Sequence, residues 1–99
     1  MEPQDLAGLD VCYQRRSGLN IEEVAGETLV LDDQGGRVHQ LNQTASFIWR
    51  QCDGQTSVAN IVRSLKAEFD VDQAVATKDV AQAIERLLEL ELLQKCPRS

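Results

Sequence analysis

The chain has 99 residues, 42% of them hydrophobic and 26% charged, proportions that fit one folded domain around one core and exclude disordered, collagen-like and low-complexity chains. Ten basic against sixteen acidic residues leave a net charge of −6, which opposes tight binding to a phosphate backbone and argues against a nucleic-acid partner. Three widely spaced cysteines, Cys12, Cys52 and Cys96, form no C-x-x-C pair and fit a reducing cytoplasm; with no run near the ~20 apolar residues of a bilayer span, no membrane partner is expected.

Residues 1–18 mix Gly, Pro, Asp, Gln and Arg with scattered apolar groups and read as an N-terminal arm. From Asn20 the texture becomes β-favouring. Asn20 to Ala25 and Glu27 to Asp32 are two short runs broken at Ala25-Gly26, a tight hairpin signal. Asp32-Asp33-Gln34-Gly35-Gly36 is a dense turn signal, after which Arg37 to Leu41 returns as a third antiparallel strand, with Leu41 expected to face inward.

Helical spacing follows. Asn42 or Thr44 caps a first helix whose stripe is Ala45, Ile48 and Cys52, flanked by Phe47 and Trp49 and ended at Asp53-Gly54, with Gly54 as a C-cap candidate. Thr56 or Ser57 caps a second, in which Val58, Ile61, Val62, Leu65 and Phe69 form a single apolar face. Asp70 to Ala76 reads as a connector and Thr77 as the cap of a third helix running from Lys78 to Lys95, with residues 96–99 as a tail. Three strands followed by three helices predict an α+β domain over residues 19–95, in which the helices cover one face of a three-stranded antiparallel sheet, an order that is winged helix-turn-helix-like.

Catalytic chemistry finds no foothold. His39 is the sole histidine and has no serine or cysteine near it in sequence, and the three cysteines with His39 lack the short paired spacings of structural zinc sites. The carboxylate pairs Asp32-Asp33 and Asp70-Val71-Asp72 do not continue as a calcium loop, and no phosphate-binding, dinucleotide-binding or nucleophile-elbow motif is present. No enzyme activity, cofactor or metal is expected. A winged-helix DNA regulator matches the element order, yet the third helix sums to −1, a poor sign for entering a groove of DNA.

The run from Arg37 to Trp49 (RVHQLNQTASFIW), followed by Cys52-Asp-Gly54, Ser57-Val-Ala-Asn-Ile61 and Lys78-Asp-Val80, resembles the PqqD family, coenzyme PQQ synthesis protein D, in the form of a PqqD-type RiPP recognition element. The likeness spans roughly Leu19 to Leu93. His39 stands where an aromatic such as Tyr is expected, and Leu90-Glu91-Leu92-Leu93 replaces a Gly-Leu-Ile-like ending. The resemblance implies a peptide chaperone that holds the leader of a ribosomally made precursor and presents it to a maturation enzyme such as a radical-SAM protein. It also implies that the leader adds as a strand beside the third helix, with Arg37, Val38, His39, Gln40 and Leu41 making the backbone contacts.

The residues themselves agree with edge addition, because an exposed strand offers unpaired N–H and C=O groups to any extended chain. On the third helix, Lys78, Gln82 and Arg86 either line the outer lip of the groove and attract acidic leader residues or form a solvated face. A free sheet edge permits a monomer or a weak dimer. The remaining alternatives are the DNA regulator and a non-catalytic adaptor domain.

Overall fold

The computed structural model describes residues 11–32 and 35–96. In chain order it contains β1 (Cys12–Arg15), β2 (Asn20–Val24), β3 (Glu27–Asp32), β4 (Arg37–Leu41), α1 (Gln43–Gln51), β5 (Asp53–Ser57), α2 (Val58–Phe69), α3 (Gln73–Glu89) and β6 (Leu93–Lys95). The architecture is a small α+β domain with three helices and antiparallel sheets.

The expected meander is present as β2-β3-β4. Its first hairpin closes on Val24 opposite Glu27, and both turn residues take positive φ, Ala25 at 54° and Gly26 at 83°. That is the mirror-image turn whose twist matches the strands it joins. Across the next pair Thr28 faces Leu41 and Val30 faces His39. Period-two alternation then points Thr28, Val30 and Asp32 inward along β3 and Leu41 inward at the end of β4, while Val38 stands out in solvent.

One sheet was expected; two three-stranded sheets are found. Residues 12–15, read as part of the arm, form β1, the centre of a second sheet ordered β5-β1-β6. The strand is invisible to local pattern because its partners come from residues 53–57 and 93–95, and four residues carry too little alternation to announce themselves. The rest of the expected arm, residues 1–10, lies outside the described residues.

Asp53-Gly54 is correspondingly not a simple helix stop. Cys52 is the C-cap of α1, and Asp53 opens β5 with its Oδ1 accepting from the Gln55 and Thr56 N–H groups at 2.9 Å each. Gly54 sits in the strand at φ 83°, where β1 crosses close by.

Helix starts follow the capping chemistry. Asn42 caps α1 by accepting from Ala45 N–H, and Ser57 caps α2 by accepting from Asn60 N–H. The third helix starts earlier and ends earlier than the expected 78–95. Asp72 caps it by accepting from Val75 N–H, so Ala74, Val75 and Ala76 extend the helix and Ala76 is fully buried. After Glu89 the chain reverses through Glu91 at φ 62°. Leu92 and Leu93 then turn into the core, and β6 begins. Leu92 and Leu93, inside the expected third helix, instead anchor the entry of this strand in the core.

The core joins Val30 and Leu41 of the meander to Ile48, Trp49, Ile61, Leu65, Val80, Ile84, Leu87 and Leu92. Each such side chain, fully buried, contributes about 1.5 to 3 kcal/mol. At its margin Phe47 and Phe69 meet edge to face with ring centroids 5.6 Å apart. Among the described residues no helix is long and apolar enough to cross a membrane.

Ala25 holds a left-handed conformation that costs an L-residue with a Cβ roughly 1 to 2 kcal/mol and that Asn tolerates better. Ala25→Asn is therefore expected to raise the unfolding free energy by about 1 kcal/mol in urea denaturation. A neutral or destabilising result would show that the turn is not held in this form.

Candidate functional site

The meander has two borders, and β4 is one of them. It pairs with β3 on one side, and among the described residues no strand lies on the other. Arg37, Val38, His39, Gln40 and Leu41 therefore form a short edge with an unspent row of backbone donors and acceptors. Their side chains divide by face. Gln40 is exposed on the outer face, where its Nε2 donates to Glu27 Oε1 across the sheet at 2.8 Å. Leu41 is anchored in the core, and His39 is half-buried.

Two buried polar atoms on this inner face lack a hydrogen-bond partner among the described residues, His39 Nε2 and Thr28 Oγ1. They belong to diagonal positions on neighbouring strands. An unsatisfied buried group costs about 1 to 3 kcal/mol, and both atoms lie on the inner face of the two strands that end in the open border.

The C-terminal end of β4 runs directly into the Asn42 cap, and there α1 and α3 diverge to leave a groove of about 330 Å³. It is lined by Asn42, Thr44 and Ala45 from α1 and by Asp79, Gln82 and Ala83 from α3. The lining of α3 follows i, i+3, i+4, one helical face. Of the three helix residues singled out from the sequence, Gln82 lines this groove. Lys78 and Arg86 are exposed outside it, with Arg86 Nη1 lying 3.8 Å from Glu89 Oε1.

Sequence reasoning missed Asp79 and the alanines. A helix beginning at Lys78 would put Asp79 in its first turn, where a carboxylate simply answers the macrodipole; the true start at Gln73 moves it to the second turn. Ala45 reads from the sequence as part of the apolar stripe of α1 rather than as groove lining, and Ala83 gives no signal beyond small size.

Reactive chemistry elsewhere is muted. Cys52 is fully buried, its Sγ sits 3.3 Å from the Ile48 carbonyl oxygen, and burial pushes its thiol up to about 12 against a weaker lowering by Arg15. At neutral pH it is a protonated core residue with almost no thiolate. Cys12, on β1, and Cys96, just past the end of β6, are half-buried free thiols, the Cys96 N–H donating to the Cys12 carbonyl at 3.3 Å. Among the described residues no three His, Cys, Asp or Glu side chains gather into a metal-binding group.

Comparison with known proteins bears directly on this arrangement. The family model described as coenzyme PQQ synthesis protein D (PqqD) matches residues 27–93, which include the open edge and the whole of the groove lining. Comparison with curated protein sequences finds no match. Among solved structures, TbiB1 in complex with the TbiA(beta) leader peptide superposes with a TM-score of 0.73 at 23% identity, covering 82% of this chain and 94% of that one. Lasso peptide synthetase B1 complexed with the leader peptide gives 0.72 at 24% identity, covering 83% and 96%. The solution structure of the PqqD truncation of Methylobacterium extorquens PqqCD, described as a functional, stand-alone RiPP recognition element, gives 0.68 at 25% identity, covering 95% and 99%.

The Cys52 shift carries a signed pH dependence. Between the ordinary thiol value of 9.0 and about 12 the unfolded chain has lost this proton and the folded chain keeps it, so stability falls as pH rises. The slope contributed is about 1.4 kcal/mol per pH unit. Urea unfolding at about pH 9 and pH 10 is expected to show a steeper loss for the wild-type protein than for Cys52→Ala, by roughly 1 kcal/mol. Parallel slopes would mean that the thiol ionises freely in the fold.

Proposed function

Because this chain belongs to the PqqD family, we propose that it is a peptide-binding protein that captures the leader of a ribosomally synthesised precursor by strand addition to the free border of β4. The single observation that carries this reading is the unpaired edge Arg37–Leu41, with a groove opening at its end. Two of the superposed proteins are complexes with leader peptides, and a third is a stand-alone recognition element, which supports the same use of the fold here.

The magnitudes suit reversible capture. About four backbone hydrogen bonds at ~1 kcal/mol each and two or three buried apolar side chains at ~2 kcal/mol each supply roughly 8 to 10 kcal/mol. Ordering a flexible leader costs about 2 to 5 kcal/mol, leaving binding of micromolar strength at its upper end. Such affinity fits a carrier that must release its cargo.

On this reading the protein does no chemistry and needs no cofactor. It acts in the cytoplasm beside a separate maturation enzyme, of which a radical-SAM protein is one kind, as a monomer or weak dimer. Its winged-helix-like order of elements serves a peptide rather than a duplex. The charge balance supports that choice: α3 carries Lys78 and Arg86 against Asp79, Glu85 and Glu89.

The test is an amide NMR titration with two probes, the TbiA(beta) leader peptide and the leader of a short precursor encoded beside this chain's own gene. Amides of residues 37–41 are expected to shift and to gain exchange protection with at least the second probe. Saturating leader that leaves all five unmoved would defeat the reading.

A further inference from the structure

The groove at the end of β4 has a chemical character that the sequence did not disclose. Asp79 is the single ionisable group among its lining residues; the others are Asn42, Thr44 and Gln82, which are polar and uncharged, and Ala45 and Ala83, which are small. Asp79 is half-buried and makes neither an ion pair nor a hydrogen bond among the described residues. The cations of its own helix do not neutralise it within the groove. Lys78 is exposed outside the lining, and Arg86 is exposed beside Glu89.

One feature works in the opposite sense. The N-terminus of α1 opens on the same groove, and a helix N-terminus by itself favours an anion. Here the Ala45 N–H is already taken by Asn42 Oδ1 at 2.8 Å, and no basic side chain faces the space. A full carboxylate charge outweighs the partial charge of a capped terminus, and the whole chain adds a net charge of −6.

Resting on the leader-binding reading above, we propose that this groove is a specificity pocket for a lysine or arginine side chain of the bound peptide. Asp79 supplies the counter-charge, and Asn42, Thr44 and Gln82 supply acceptors for the remaining N–H donors. The two alanines leave room for an unbranched alkyl stem, which packs along apolar surface while its head reaches the carboxylate. Placement agrees with strand addition, because Asn42 immediately follows Leu41, so a chain laid along the edge delivers a side chain to the groove as it leaves the sheet. Arg37 stands exposed at the far end of β4. The edge therefore runs from positive to negative, which helps to set the direction of the peptide.

The experiment uses the full chain and the leader peptide that moves the 37–41 amides, with each leader position replaced in turn by Lys and by Glu. At one position Lys is expected to bind at least tenfold tighter than Glu, a difference of about 1.4 kcal/mol. That preference should fall to about twofold or less with Asp79→Asn and invert with Asp79→Lys, while the amide spectra confirm that both variants are folded. If leader still shifts residues 37–41 but no position distinguishes Lys from Glu in an Asp79-dependent way, the pocket assignment is overturned and edge binding stands. If no leader binds the wild-type protein, the reading beneath it fails instead.

Discussion

Trp49 is the point at which the two ends of the described chain are tied to the helical layer. Its indole N–H donates to the Leu92 carbonyl at 3.1 Å, and the Arg16 N–H donates to the same oxygen at the same distance. From β1, the Arg15 guanidinium lies over the indole ring, 5.8 Å from its centroid, and donates to the Trp49 and Arg50 carbonyls at the last turn of α1. A cation at a helix C-terminus satisfies orphan carbonyls and opposes the negative end of the macrodipole. One buried ring thus fixes β1, the exit of α3 and the end of α1 together. The consequence reaches the far side of the molecule: with their C-terminal ends held, α1 and α3 have a set divergence, and the groove lies in that divergence.

The meander is tied more lightly to this layer. Val30 and Leu41 reach the core, Arg16 bonds Asp32 at 2.9 Å, and Glu23 meets Arg50 at 3.0 Å on the surface. The second of these pairs is exposed at both ends and contributes at most about 1 kcal/mol. Apolar packing through one core residue on each of β3 and β4 leaves the border of β4 unburied. A sheet wrapped fully by helices has no such border to offer. The second sheet, by contrast, places β1 between two partners and serves as a clamp.

What the sequence disclosed follows the range of the interactions involved. The meander, the apolar face of Val58, Ile61, Val62 and Leu65 and the caps at Asn42 and Ser57 are local: their signals lie within a few residues of the structure they produce. β1, β5 and β6 are short segments whose identity depends on one another, and nothing in Cys12 to Arg15 marks a strand until Asp53–Ser57 and Leu93–Lys95 lie beside it. Asp72 and Thr77 are both competent caps, and the choice was made by burial of Ala76, a tertiary event. The candidate edge was legible as a pattern. The groove was not, since it depends on where two helices part, and its one charge sits on a face that shifts with the true start of α3.

An open sheet border is also a hazard, because it invites pairing with any extended chain, other copies of the protein included. The two borders of this meander meet the hazard differently. β2 carries Glu22 and Glu23 in succession on a chain already at −6, so acidic self-repulsion guards it. β4 has no acid along its length; it is as short as β2 and is guarded by Arg37 at its entry and by the immediate turn into α1 at its exit. A border kept short enough to resist self-association is also too short to hold a peptide tightly through backbone bonds alone. On the proposed reading, selectivity must then come from what lies past the end of the strand, and the polar groove between α1 and α3 is the surface that lies there.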